Sequence, residues 1–194
     1  MVIDSHCHIF NERIVENMLT RPALVKQLHL NVEGARPLLS PRALQEVAEA
    51  NGIEACVMLP STGPNRVRSE NDRFVQWTRE FPRLRTFATL HPLMDDLAGE
   101  ISRMFDLGVT GFKFSSFSQR FDIASPEARR MWHDIERLSA QRNKRATLVF
   151  DTFVTAHDHF GAVPEHLTTP SGLAHIVHQF EGINIIAAHM GGLL

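Results

Sequence analysis

The sequence predicts an α/β fold, a TIM-type (β/α)8 barrel with about six βα units present, on three observations. Short apolar segments alternate with amphipathic ones. The apolar segments run nearly unbroken, as strands do when helices cover both faces of a parallel sheet. The polar residues capable of chemistry gather at the carboxyl ends of those segments, where barrel enzymes build their sites. A doubly wound open sheet fits the alternation too, but the first turn carries no glycine-rich phosphate fingerprint. With 194 residues, 43% of them hydrophobic, the chain can bury one sizeable core, and residues 1–194 are read as one domain.

Each element has a local reason. The first strand lies within residues 2–10 (VIDSHCHIF), and an irregular stretch follows through Arg36. Ser40-Pro41 opens a helix, because serine caps unpaired N–H groups and proline is tolerated at the first helical position. Leu44, Val47 and Ala48 recur at helical spacing, and Gly52 stops the helix. Residues 54–60 (EACVMLP) form strand two, residues 71–81 a helix, and residues 83–91 (RLRTFATLH) strand three, ended by Pro92. A helix over 95–107 closes at Gly108, and residues 109–115 (VTGFKFS) form strand four. After a polar loop, Ser125-Pro126 starts a helix with the apolar stripe Ala128, Met131, Trp132, Ile135 and Leu138. Residues 146–152 (ATLVFDT) are strand five. A long loop rich in histidine and proline then leads to a helix over 171–180, capped by Gly182, and to strand six at 183–189 (INIIAAH).

Composition narrows the function. A formal net charge of -2 gives no polybasic surface for nucleic acid or anionic lipid, so a small-molecule substrate is the expected partner. No apolar run approaches the roughly 18–20 residues of a membrane span, and Asp4 and His6 stand where a signal peptide needs a basic then apolar stretch. A cytoplasmic protein is expected, and a homo-oligomer is compatible with the sequence. Cys7 and Cys56 fall in strands without Cys-x-x-Cys spacing and are read as buried free thiols. Tyrosine is absent, which excludes a phenol as acid or nucleophile.

The chief candidates for chemistry are His6 and His8. Strand side chains alternate faces, so Asp4, His6 and His8 share one face and can offer two imidazoles to one metal ion. Asp4 either orients a ligand or bonds a neighbour. His91, Lys113, Asp151 and His189 lie at the ends of later strands. Lys113 either pairs structurally with Asp151 or serves the site. His91 is a hydrogen-bonded pocket residue or a substrate contact. Gln119 and Arg120, in the loop after strand four, occupy the rim where a substrate carboxylate would be held, with Arg120 able to bind it through two N–H groups. His157 and His159 form a second His-x-His pair, read as part of a solvated loop.

Asp4-Ser5-His6-Cys7-His8, Gly111-Phe112-Lys113-Phe114 and Ala188-His189-Met190-Gly191-Gly192, in that order on successive strands, resemble the amidohydrolase superfamily. The resemblance is to its amidohydrolase-related group, which includes enzymes similar to aminocarboxymuconate semialdehyde decarboxylase, and it covers essentially the whole chain. It implies a metal-dependent barrel enzyme that hydrolyses C–N or C–O bonds, with some members decarboxylating instead. His6 and His8 match the strand-one metal ligands, and His189 matches the strand-six histidine that binds metal or acts on the substrate. Some relatives carry a carboxylated lysine on strand four, which the motif around Lys113 does not establish.

Two departures stand out. Asp151 occupies the end of strand five, where the family has a histidine; a carboxylate oxygen reaches zinc at about the same distance as an imidazole nitrogen, so the aspartate either keeps the metal site or marks altered chemistry or a lost metal, and the first is the reading taken. The family's strand-eight aspartate, which binds metal and takes the proton from water, has no match. A barrel of this type needs about 250 residues, so the sequence is expected to be a fragment of a longer protein.

These readings converge on a metal-dependent hydrolase acting on a small-molecule amide, ester or lactone. His6, His8 and Asp151 hold a divalent ion, zinc preferred and manganese or iron as alternatives; His189 and Lys113 are catalytic; His91, Gln119 and Arg120 bind substrate. Two alternatives are a decarboxylase of a small unsaturated acid on the same site, and a non-catalytic barrel or binding protein.

Overall fold

A computed structural model describes residues 1–27, 29–153 and 155–191, with Met190 described by its backbone alone. Gly192 of the third motif and the terminal Leu193-Leu194 lie outside the described residues. The chain forms two compact units, one of residues 1–58 and 74–86, the other of residues 59–73 and those from 87 on.

In the first unit, β1 (Ile3–Cys7), β2 (Ala55–Met58) and β3 (Leu84–Thr86) form a parallel sheet in the order β1-β2-β3. The stretch expected to be irregular instead holds three short helices, α1 (Glu12–Leu19), α2 (Pro22–Gln27) and α3 (Val32–Ala35). Asn11 and Asn31 cap the first and third, their side-chain oxygens accepting from the N–H groups of Ile14 at 3.1 Å and Gly34 at 2.9 Å. Each helix anchors through a single buried residue, Val15, Leu24 or Val32, so no sustained apolar period marks them in the sequence. The next helix, α4 (Pro41–Ala50), begins as expected with Ser40 Oγ accepting from Ala43 N at 3.1 Å, and Gly52 follows it at φ +66°. Cys7, Ala48, Cys56, Met58 and Leu84 make the core, joined by Phe74 from α5 (Val67–Glu80).

In the second unit, β4 (Ala88–Thr89), β5 (Gly111–Phe114), β6 (Thr147–Phe150) and β7 (Asn184–Ala187) form a parallel sheet in the order β4-β5-β6-β7. Between and after them run α6 (Leu97–Asp106), α7 (Ser116–Gln119), α8 (Pro126–Ala140), α9 (Ala156–Phe160) and α10 (Pro170–Gln179). In both sheets strand order follows chain order, as in a barrel, whereas a doubly wound sheet reverses at a switch point. The single strand expected over residues 83–91 is two, β3 and β4, separated by Phe87. The Phe87 ring occupies the space beside Gly111 so closely that a Cβ there would come within 2.4 Å of it. The glycine opening the second motif thus admits a ring.

Two polar connections of the sequence reading contain helix after all. The loop after β5 folds as α7, and the long histidine-rich loop contains α9. The expected cap at Gly182 is not found: α10 ends at Gln179 with Phe180 as its C-cap, and Gly182 is not among the positive-φ glycines. Its N–H donates to Glu136 Oε1 at 2.7 Å, and that carboxylate fills the space a side chain would need.

Alternation along the strands decides what faces the site. Phe112 meets Phe105 of α6 edge-on at 5.6 Å, and Phe114 meets Trp132 of α8 at 4.7 Å. Phe150 stacks with Phe114 at 5.4 Å on that same helix-covered face. Trp132 is buried with its indole N–H donating to Ile123 O at 3.0 Å, so its polar atom is satisfied. Lys113, Ser115 and Asp151, one step out of phase with these phenylalanines, belong to the opposite face.

A buried polar cluster fixes β4. Asn71, on the first turns of α5, accepts from Thr89 N at 2.8 Å and donates to Thr89 O at 3.0 Å and to Glu100 Oε1 at 2.8 Å. Glu100 is buried and takes both arms of Arg103, whose guanidinium also reaches Asp72. The Asn71 amide therefore closes a strand edge as a neighbouring strand would, and its loss takes the partner from a buried backbone N–H and carbonyl and one donor from Glu100. In urea unfolding, Asn71→Ala is expected to lose about 2–4 kcal/mol, and Gln76→Ala on the exposed side of α5 under about 0.5 kcal/mol; equal losses would contradict this role.

Candidate active site

The first unit contributes the histidine pair. Register runs Asp4↔Cys56 and then Cys7↔Met58, so β1 carries one more residue than β2 between those points, a bulge that interrupts the expected alternation. Strand pairing ends at Cys7, leaving His8 just past it. His6 Nε2 and His8 Nε2 nonetheless converge to 3.1 Å. Asp4 stays on the backbone of this turn, accepting from His6 N at 3.1 Å. Cys7, between the histidines, turns inward as a buried free thiol, and Cys56 is likewise free and buried. Burial pushes both thiols up, away from the reactive thiolate form.

The spacing of the pair can be tested against a metal. Two nitrogens at adjacent corners of a tetrahedral zinc, each bonded at about 2.0–2.1 Å, stand roughly 3.3 Å apart. The 3.1 Å separation of His6 and His8 fits that edge, and imidazole suits zinc and its neighbours. Among the described residues no group of three or more His, Cys, Asp or Glu side chains forms a ready cage. The pair thus offers two donors of a coordination shell.

The second unit gathers Lys113, Ser115, Asp151 and His189. Register pairs Phe114 with Phe150 and Phe150 with Ala187, so the residues that follow emerge together at the strand ends. Asp151 Oδ1 lies 3.2 Å from His189 Nε2; Asp151 Oδ2 accepts from Ser115 Oγ at 3.4 Å and lies 3.9 Å from Lys113 Nζ. Lys113 is 0% exposed, and its ammonium makes no hydrogen bond among the described residues. Burial pushes its pKa down, opposed by the smaller pull of the Asp151 charge. Asp151 is 14% exposed and His189 31%, so the cluster grades from a sealed amine to a solvent-reachable imidazole. His189 sits at φ +53°, a left-handed conformation that costs a residue with a Cβ on the order of 1 kcal/mol and is common where a site imposes geometry.

The remaining candidates are placed differently from one another. His91 is buried; it accepts from Leu93 N on Nδ1 at 3.1 Å, and Nε2 faces Gln119 O at 3.0 Å, so the imidazole is neutral with its proton on Nε2. Gln119 is also buried. Its Oε1 accepts from Ser115 N at 2.9 Å, and its amide donates to Leu90 O at 2.8 Å and Thr62 O at 3.1 Å. These two side chains join the loops after β4 and β5, while Arg120 is exposed at φ +62°. His157 faces Asp158 at 2.8 Å on α9.

Sequence reading missed Ser115 and the rings around His189. Ser115 was legible, since it shares the phase of Lys113 along β5. Phe117, Phe153 and Phe160 come together from α7, the segment after β6 and α9, all too short to carry a period of their own.

No family model matches the sequence, and no curated protein matches it. Solved structures do. A 5-carboxyvanillate decarboxylase from Sphingomonas paucimobilis matches over 98% of this chain and 68% of its own, with TM-score 0.62 and 16% identity. An uncharacterized TIM-barrel protein from Bordetella bronchiseptica matches over 96% and 66%, with TM-score 0.66 and 13% identity. A protein named as an amidohydrolase, from Staphylococcus aureus, matches over 98% and 67%, with TM-score 0.53 and 12% identity. At such identities the likeness is one of fold: the chain has the parallel α/β architecture of an incomplete barrel and spans about two thirds of the length of these proteins. Among the described residues no helix is long and apolar enough to cross a membrane.

Burial lowers the His91 pKa, opposed by its bond to Gln119 O. As pH falls below about 6.5 the unfolded imidazole takes up a proton before the folded one does. The contribution of neutral His91 to stability is therefore complete above that pH and is lost as pH drops toward the folded-state value. The stability difference between the wild type and His91→Gln is expected to shrink by up to about 1.4 kcal/mol between pH 7.5 and 5.5 in urea unfolding; a difference independent of pH would contradict it.

Proposed function

We propose that this chain is the metal-binding part of a metal-dependent hydrolase of the amidohydrolase superfamily, in its amidohydrolase-related group, acting on a small-molecule amide, ester or lactone. The convergence of His6 Nε2 and His8 Nε2 at 3.1 Å carries the reading. His6 and His8 would hold a divalent ion, zinc first and manganese or iron as alternatives. A bound ion would supply Lewis acidity toward a substrate carbonyl and toward water.

The chain's own residues then have distinct tasks. Asp151 orients the His189 ring through Nε2, and His189, partly exposed, holds or moves a proton at the reacting group. Lys113 places a positive charge behind Asp151 and steadies it as a carboxylate. His91 and Gln119 act by fixing the loops that carry these groups, and Arg120 is the rim cation able to meet a substrate carboxylate.

A second reading, decarboxylation of a small unsaturated acid, has the fold likeness to the 5-carboxyvanillate decarboxylase in its favour. It uses the same residues, with His189 delivering a proton to the carbon that loses carbon dioxide. Purified wild type is expected to hold about one zinc, manganese or iron per chain by elemental analysis, and the His6→Ala/His8→Ala double variant less than a tenth of that. Metal-free wild type, or retention in the double variant, would sink the metal-enzyme reading.

A further inference from the structure

From His6 to Phe10 the chain alternates inward and outward, although strand pairing ends at Cys7. Cys7 is buried, and Ile9, half-buried, packs against the same core of Cys56, Met58 and Leu84, so His6, His8 and Phe10 turn the other way. Asn11 then caps α1 and fixes the far end of the segment. Three rings therefore stand in a row. His6 meets His8 edge-on, centroids 5.0 Å apart and planes at 71°, whereas His8 and Phe10 lie nearly parallel, at 5.5 Å and 12°. The second arrangement is an offset stack. Phe10 is 45% exposed, so core packing does not account for its place, while its ring lies against that of His8.

We propose that Phe10 is a positioning residue for the histidine pair: its stack on His8 holds the imidazole plane in which Nε2 points at an ion shared with His6. This rests on reading His6 and His8 as metal ligands. An imidazole on an exposed segment turns about two side-chain torsions, and the terminal one has a broad minimum. A quarter turn about it swings Nε2 away from the 3.1 Å edge shared with His6, and a flat ring alongside opposes that turn. Phe10 brings neither donor nor acceptor, so it sets the plane and leaves both ring nitrogens to their own partners. Because the stack forms on folding, less freedom remains to be lost when the ion binds. A ring pair of this kind corresponds to about two- to tenfold in affinity.

The zinc affinity of the whole chain, measured by competition with a chromogenic chelator, reads this effect. Phe10→Leu and Phe10→Met keep apolar bulk without a flat face, and each is expected to weaken zinc binding about three- to tenfold at an unchanged urea midpoint. Phe10→Tyr, which restores the face, is expected within about twofold of wild type. With cobalt(II) in place of zinc, the visible spectrum of Phe10→Leu is expected to differ from that of wild type and the spectrum of Phe10→Tyr to match it. Unchanged affinity in both Phe10→Leu and Phe10→Met, or Phe10→Tyr as weak as either, would overturn the proposal. One wild-type measurement decides even if the variants misfold. In proton NMR of the metal-free chain, the His8 ring signals, assigned by their absence in His8→Ala, are expected upfield of those of an unstacked histidine, and unshifted signals would overturn the stack. Zinc bound equally by wild type, Phe10→Leu and Phe10→Met defeats this inference alone, whereas a wild type that binds none defeats the metal-enzyme reading and this inference with it.

Discussion

The parallel register of β5, β6 and β7 is the constraint on which the second unit's chemistry depends. Pairing of Phe114 with Phe150 and of Phe150 with Ala187 puts three chain exits at one level. A one-residue slip at either seam would turn every side chain of that strand to the other face and part Asp151 from Lys113 or His189. The phenylalanines prevent the slip. Phe114 and Phe150 must remain on the helix-covered face with Trp132, so Lys113 and Asp151 must take the other. Core packing thereby sets a charge contact that by itself has weak geometry.

That contact has an electrostatic logic. A buried ammonium is costly without hydrogen bonds, and Lys113 has an ionic neighbour at 3.9 Å in place of them. Asp151 in turn divides its two oxygens, one toward His189 and one toward Ser115 and Lys113. The loops around it are held by neutral, fully used groups. Gln119 spans three segments with one amide, and Thr152 Oγ1 donates to Ala188 O, joining the exits of β6 and β7. Charge is confined to the centre and neutral amides to its frame, an arrangement that keeps the carboxylate where the imidazole needs it.

Much of this was readable from the sequence where a period or a cap existed. Six apolar segments placed the strands, and Ser40-Pro41 and Ser125-Pro126 marked helix starts that the structure reproduces. Strand-end placement alone linked Lys113, Asp151 and His189. Tertiary forces hid the rest. Phe87, whose ring packs on Gly111, stands between two strands where one was expected, and Gly182, expected to cap a helix, instead donates its N–H to Glu136. The bulge in β1 alters the alternation on which the reading of Asp4 rested, and no residue in Asp4-Ser5-His6-Cys7 announces it. Gln119 looked like a rim residue because polar loops are usually exposed; here its amide bridges backbone groups that have no water.

Strand register couples Lys113 to Asp151 inside the protein. A double-mutant cycle of Lys113→Met and Asp151→Asn, followed by urea unfolding, measures that coupling directly. A favourable interaction of about 1–3 kcal/mol is expected, with the double variant more stable than the sum of the single losses allows, because removing both partners leaves no buried charge unmatched. Strictly additive losses would contradict it.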